Sequence, residues 1–338
     1  MLANLLRSIF IIILLGTITI FLGSWGFLVH KTAHQLAIYE LPKNLCGYFY
    51  KNIDYLEYNA VRPDVRRNTD HNEAPKHFID LEAFGDSAAY KMPVKWNDAV
   101  KKYSTDTLLK YGYVPYYIVE MQQQLTHAFK NGNTDSILFY AADIGHYIED
   151  ANAPLHTSIN YDGQLTDQKG IHALWETVVP EIEISNYNLH STHKAHYIKN
   201  KEQAIWAAIR RSHALLPDVF AKEKAVSANF TDKTKYRIEI RNGKEVKYYT
   251  TTFAKAYAAA LGTTINDQLI HSADMVADFW YTAWVDAGKP DINSLPAARL
   301  KNTQKLQLKK ELKSFKQNSL IKDGYLRAKD KKKDEKVD

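Results

Sequence analysis

The chain is expected to be all-α: a single multi-helix domain interrupted by one small β-hairpin near residues 235–250. Three observations lead there. Apolar residues recur at helical spacing through most of residues 25–298, the mark of helices with one buried face. Helical runs stop where residue chemistry stops them, at Pro42 and at Asn131-Gly132. Only the run KYRIEIRNGKEVKYY, residues 235–249, alternates, and it does so on both sides of Asn242-Gly243, the strongest short hairpin signal.

Taken in order, residues 1–24 combine a short n-region bearing Arg7 with an almost unbroken apolar run over 9–22. That length suits a signal-peptide core and is short for a membrane span. Gly23 and Ser24 put small residues ahead of Trp25, so cleavage before Trp25 and export to a periplasmic or extracellular space are expected. An uncleaved membrane anchor is the alternative, because the apolar character runs on to Val29. Helices are then expected over 30–41, 96–111, 114–130, 135–150, 202–219 and 254–287, with the hairpin as an excursion from the helical body. Residues 299–338 form a basic C-terminal tail, one amphipathic helix followed by solvated chain.

At 338 residues the chain can bury a large core. Its single cysteine, Cys46, excludes an intramolecular disulfide, so an exported form needs another source of stiffness, and bound metal is one. The net charge of +6 is unevenly placed. The tail holds 14 Lys/Arg against 6 Asp/Glu, a charge of +8; removing that and Arg7 leaves 6 − 8 − 1 = −3 for residues 25–298. The overall basicity is therefore no argument that the body binds nucleic acid.

The chemistry concentrates in ADIGHYIEDANAPLHTS and, shortly after, GIHALWE. His146 and Asp150 are four apart and share a helix face. His156 follows Ala153-Pro154, which breaks the helix, and His172 with Glu176 repeats the four-residue spacing. Imidazole and carboxylate on one face suit zinc, which takes about four N/O ligands at roughly 2.0–2.2 Å. One such pair is commonly a surface hydrogen bond. Two pairs with a histidine between them, inside 31 residues, are a metal signature. Upstream, His77 in HFID and Asp64 in RPDVRR are weak signals by themselves.

Together, Trp25, His30, Asp64, His77, His146, Asp150, His156, His172 and Glu176 resemble the nine-ligand pattern of the superfamily of zinc-dependent phospholipases C and single-strand-specific zinc nucleases. The match covers residues 25–176 in order and includes the PLH ending at His156. The resemblance implies that superfamily's all-α fold and three Zn²⁺ ions. One would be held by Asp64, His77, His146 and Asp150, a second by His156, His172 and Glu176. The third would take His30, a bridging Asp150, and the free α-amino and carbonyl groups of Trp25. A terminal amine exists only after cleavage, so the resemblance strengthens the expectation of a removed leader. Three Zn²⁺ against Asp64, Asp150 and Glu176 leave a cationic site fit for a phosphodiester, with zinc-activated water as nucleophile and Asp64 able to orient or deprotonate it.

The implied substrate divides. Glu176 is the phospholipase-like choice, and the lack of disulfides leans the same way. The Trp25-to-His30 spacing is nuclease-like. Arg67 stands where the nucleases keep a phosphate-contacting arginine, and Phe78 and Asp80 match positions that stack on a base and bond its edge. Val65 and Ala74 stand where the phospholipase keeps choline-binding aromatics, and neither offers a cation an aromatic face. The balance leans slightly to a single-strand nuclease or nucleotidase substrate, with a phospholipase C acting on phospholipid head groups as the alternative. The reading from another class is a membrane-anchored, non-catalytic metal-binding protein. No obligate protein partner is implied, and a monomer is expected.

Other residues compete for notice. His34, four after His30, falls outside the implied ligand set and is read as a supporting or surface residue. His190, His193 and His196 form an HxxHxxH run, read as a solvated or adventitious metal-binding patch and not a fourth catalytic zinc. Asp70 and His71 rival Asp64 and His77 but lack their sequence contexts. NYDGQ, residues 160–164, is a turn.

Overall fold

A computed structural model describes residues 26–241, 243–295 and 299–329. The leader, Trp25, the hairpin's Asn242 and the last nine residues lie outside the described residues. The architecture is mostly helical with one two-stranded antiparallel sheet. Its longer helices are α1 (Phe27–Glu40), α2 (Val114–Lys130), α3 (Thr134–Asn152), α4 (Lys201–Ala214), α5 (Leu216–Ser227), α6 (Thr251–Leu261), α7 (Thr264–Asp286) and α8 (Asn302–Lys316). No helix among the described residues is long and apolar enough to cross a membrane.

Helix α3 is the centre of the packing and touches α1, α2, α4 and α7, while α1 lies along α7. It is buried on nearly all sides, so even its polar residues Asp143, His146, Glu149 and Asp150 meet protein partners in place of solvent. The start is capped by Asn133, whose side chain accepts from Ser136 N. It ends where Pro154 forces Ala153 into extended backbone, two residues later than expected. Apolar side chains gather into two clusters. The larger contains Ile79, Ile144, Tyr147 and Trp280, and the smaller Leu155, Leu174, Trp175 and Tyr257.

Three expected helices are each two. The 96–111 run breaks at Ser104 (φ 68°), whose hydroxyl accepts from Thr107 N and starts the next helix. The 202–219 run turns at Leu215-Leu216, ahead of Pro217. The 254–287 run breaks at Gly262 (φ 63°), where a side chain would be strained.

The hairpin pairs β1 (Tyr236–Arg241) with β2 (Lys244–Tyr249), with Tyr236 opposite Tyr249. Its base is fastened to the helical body at Glu223, a buried carboxylate 2.8 Å from Lys235 Nζ that accepts Tyr249 OH at 3.0 Å.

The basic C-terminal segment is not a solvated appendage through residue 329. Leu308, Phe315, Leu320 and Leu326 belong to the main core, and buried Glu311 accepts Tyr39 OH at 2.7 Å and Tyr50 OH at 2.8 Å. Lysines dominate the composition of α8, yet its residues 308, 311 and 315 form one inward face.

Candidate metal centre

Eight of the nine expected ligands converge, and the ninth, Trp25, lies outside the described residues. They fall into three groups, the first two sharing His146: His30, Asp64 and His146; His77, His146 and Asp150; and His156, His172 and Glu176. In each, the ligating atoms lie within 4.8 Å of one another. Helix α1 supplies His30, α3 supplies His146 and Asp150, and a 3₁₀ turn beyond Pro154 supplies His156. His172 and Glu176 sit on a helix that widens to a π turn over Leu174–Val178, an irregularity frequent at functional sites.

Asp150 is the hub. Its Oδ2 lies 2.8 Å from His77 Nδ1 and 3.3 Å from His146 Nε2, while its Oδ1 lies 3.9 Å from both His30 Nε2 and His156 Nε2. Asp64 closes the first group from the solvent side, 3.7 Å from His146 Nε2 and 3.8 Å from His77 Nδ1. Glu176 spans the last group, with Oε1 3.1 Å from His156 Nε2 and Oε2 2.9 Å from His172 Nε2.

The outer nitrogens are the informative ones. His146 Nδ1 donates to Ala60 O at 2.9 Å, His156 Nδ1 to His77 O at 2.7 Å, and His172 Nδ1 to Tyr161 O at 3.3 Å. A carbonyl only accepts, so each of these rings donates outward through Nδ1 and turns its Nε2 inward. His30 Nδ1 is likewise held by the Glu149 carboxylate. Only His77 is reversed, with Nδ1 inward and Nε2 turned toward Glu73, 3.6 Å away. The inward nitrogens meet carboxylate oxygens: His156 Nε2 faces Glu176 Oε1 at 3.1 Å. Such an arrangement is short of positive charge, and a divalent ion at its centre fits it.

Ionisation behaves accordingly. Burial opposes charge on His30, but Glu149 and Asp150 outweigh it and raise the imidazole to about 10. His172 is raised to about 9, burial again being overcome, here by Glu176. His146 goes the other way, pushed down to about 4 by burial, with His30 and His77 adding to the push against the pull of Asp150 and Asp64. Asp150 is held well below the usual carboxylate range: burial works against its charge, but the surrounding histidines prevail. Protons thus supply charge that bound metal would displace.

The RPDVRR arginines divide their labour. Arg62 and Arg66 are tied to Asp143, and Arg66 also grips Glu73 at 2.9 Å. Arg67 reaches Asp64 at 3.5 Å from a side chain that is 45% exposed. Phe78 is half-buried in an extended run laced on both sides. Ile79 N donates to His156 O at 2.9 Å, and Asp80 N to Tyr111 O at 2.7 Å. Gly112 allows that lacing, because a Cβ there would sit 2.2 Å from Phe78 O. Burial and Glu82 raise the Asp80 carboxyl to about 6.

Several residues support the ligands, and of these Glu149 and Glu73 escaped the sequence reading, whereas His34 was read as a supporting or surface residue. Glu149 is buried against His30 and adds a negative charge that the sequence ledger omits. His34 is a supporting residue, fully buried, with Nδ1 2.8 Å from Glu149 Oε1 and Nε2 donating to Ala142 O at 3.1 Å. Glu73, gripped by Arg66, Lys76 and Tyr147 OH, backs His77. The 160–164 turn is a buttress for His172 through Tyr161 O, and the hairpin's Tyr249 packs behind it against Gly170. Adjacency to Asp150 was the only sequence signal for Glu149. Asp70 and His71 stay outside all these groups.

No protein-family model matches the chain, and no curated protein matches it.

Proposed function

We propose that the chain is an exported trinuclear-zinc phosphodiester hydrolase of the kind its sequence resembles, cleaving single-stranded nucleic acid or nucleotides. The observation that carries this reading is the set of inward-facing imidazole nitrogens around Asp150, Asp64 and Glu176. Bound there, zinc would supply Lewis-acid charge for phosphoryl oxygens and water activated near neutral pH. His77, His146, Asp64 and Asp150 would hold one ion, His156, His172 and Glu176 another. His30 and Asp150, with the terminal amine of a cleaved Trp25, would hold the third.

The remaining roles belong to the protein's own side chains. Asp64 stands between the buried histidines and solvent, placed to orient or deprotonate the attacking water. Arg67 beside it offers a guanidinium to a phosphate oxygen. Phe78, only partly buried, would stack on a base, and Asp80 two residues on would bond its edge. Export rests on the apolar run over residues 9–22.

Glu176 favours one second reading, a phospholipase C acting on phospholipid head groups. Side-by-side hydrolysis of single-stranded DNA, RNA and phospholipid vesicles by the purified protein tests the choice. Release of mononucleotides from single strands is expected; cleavage confined to vesicles would overturn the nuclease reading. Fewer than two tightly bound zinc ions per chain would overturn both.

A further inference from the structure

A second convergence of ligating groups lies on α7, away from the central cluster. Asp274 and Asp278 are one turn apart there, and Asp278 is roughly 9 Å along the axis from Ser272, which lines the central cavity. Residues 188–199 run past this face as a strap without helix or strand, yet the strap is firmly tied. Ser191 Oγ donates to Asp274 Oδ1 at 2.9 Å, Ala195 N to Glu40 O at 3.1 Å, His196 N to Asp278 Oδ1 at 2.8 Å, and Ile198 N to Thr282 Oγ1 at 2.9 Å.

These ties bring two imidazoles to one carboxylate oxygen. His193 Nε2 lies 2.8 Å and His196 Nδ1 3.0 Å from Asp278 Oδ1, and the three residues meet within the same 4.8 Å span as the central groups. Zinc at about 2.0–2.1 Å from each ligand needs ligand–ligand edges near ~3.3 Å, a small outward adjustment. Acidic groups crowd here. Glu40 is 1% exposed, and burial together with Asp274 and Asp278 pushes its carboxyl up to about 10, so it keeps a proton, with the Lys194 ammonium nearby. The other side is open: a cleft of about 410 Å³, walled by His196, His271, Asp274 and Asp278 together with the cations Lys199 and Arg211, is ample for waters that complete a coordination shell.

We propose that His193, His196 and Asp278 hold a divalent transition ion of the zinc class, with cleft water to fill its remaining positions. The ion fastens the 188–199 strap to α7. It shares no ligand with the central cluster and is structural, so the proposal stands apart from the hydrolase reading.

The test uses the full mature chain, dialysed against zinc chloride, with metal counted by mass spectrometry. His196→Ala is the main variant, because its side chain is 66% exposed and the fold does not depend on it; His193→Ala/His196→Ala is the second. Each is expected to bind one zinc fewer than wild type, and zinc-dependent protection of residues 188–199 against hydrogen exchange is expected to fall at least tenfold. His146→Ala, which removes a central ligand, should keep that protection. Variants that bind as many ions as wild type, with unchanged protection, would overturn the proposal and leave two imidazole–carboxylate hydrogen bonds only.

Discussion

His77 Nδ1 and His146 Nε2 face each other across 3.1 Å, with Asp150 Oδ2 2.8 Å from the first and 3.3 Å from the second. His146 has already committed its proton to Ala60 O. One proton on His77 is all this triangle can use, and a divalent cation satisfies all three atoms together. Stripping the protein with a strong chelator should therefore lower its thermal midpoint. A ligand present at 100 times its Kd contributes about 2.7 kcal/mol, on the order of several degrees for a chain of this size. Differential scanning fluorimetry with and without zinc readdition checks it. A midpoint that ignores the chelator would sink the metal reading of the central cluster.

Substrate choice turns on Phe78. Base–aromatic stacking is worth ~1–3 kcal/mol per base, so Phe78→Ala should lower kcat/KM on single-stranded DNA by about 5- to 150-fold. A small aryl phosphodiester, with no base to stack, should lose little. On the proposed reading His146→Ala should abolish both activities, since it would delete a candidate ligand at the shared centre and leaves Ala60 O without its donor. Equal losses on both substrates in Phe78→Ala would argue that the ring is packing and that bases do not stack there.

Much of this cluster was legible because its candidate ligands carry short-range signatures: four-residue His/carboxylate spacings, a proline break before His156, and the HFID and RPDVRR contexts. What supports the ligands was not legible. Glu149 meets His30 across 119 residues, and Arg66 rather than Arg67 was drawn into the Glu73–Asp143 network by contacts that no local spacing encodes. Likewise, the helix breaks at Ser104 and Gly262 depend on one positive φ each, inside runs whose apolar period hardly falters. The lysine-rich composition of α8 concealed its inward face in the same way: charge content averages over a helix, whereas burial acts on one side of it.

Gly145 shows how closely that support is built. A Cβ at this position would sit 2.4 Å from His34 Nε2, closer than real contacts allow, and His34 is gripped on both nitrogens. Gly145→Ala gains up to ~1 kcal/mol of helix propensity, but overpacking a rigid core costs about 1–3 kcal/mol, so net destabilisation is expected. Displacing His34 also frees Glu149 from one side, and His30 loses its fixed orientation. Glu149→Gln should reproduce the second effect without the collision, weakening metal at the His30 position by about 10- to 100-fold. Zinc titration of the two variants, beside urea denaturation, separates the contributions. Wild-type zinc affinity in both would remove Glu149 from the support of the centre.

The C-terminal segment offers the last test, because its two readings differ by several kcal/mol. Phe315 is 2% exposed, stacks edge-on with His190 and packs beside Tyr39, while Glu311 one turn earlier accepts hydrogen bonds from Tyr39 and Tyr50. Emptying such a site costs about 3–5 kcal/mol for Phe→Ala. Substitution on a solvated appendage costs within ±0.5 kcal/mol. Phe315→Ala should therefore move the urea midpoint strongly, whereas Leu306→Ala, on the exposed side of α8 at 57%, should barely move it. Equal, small effects at the two positions would mean that α8 does not belong to the folded core; a large effect confined to Phe315 makes the basic segment part of the domain.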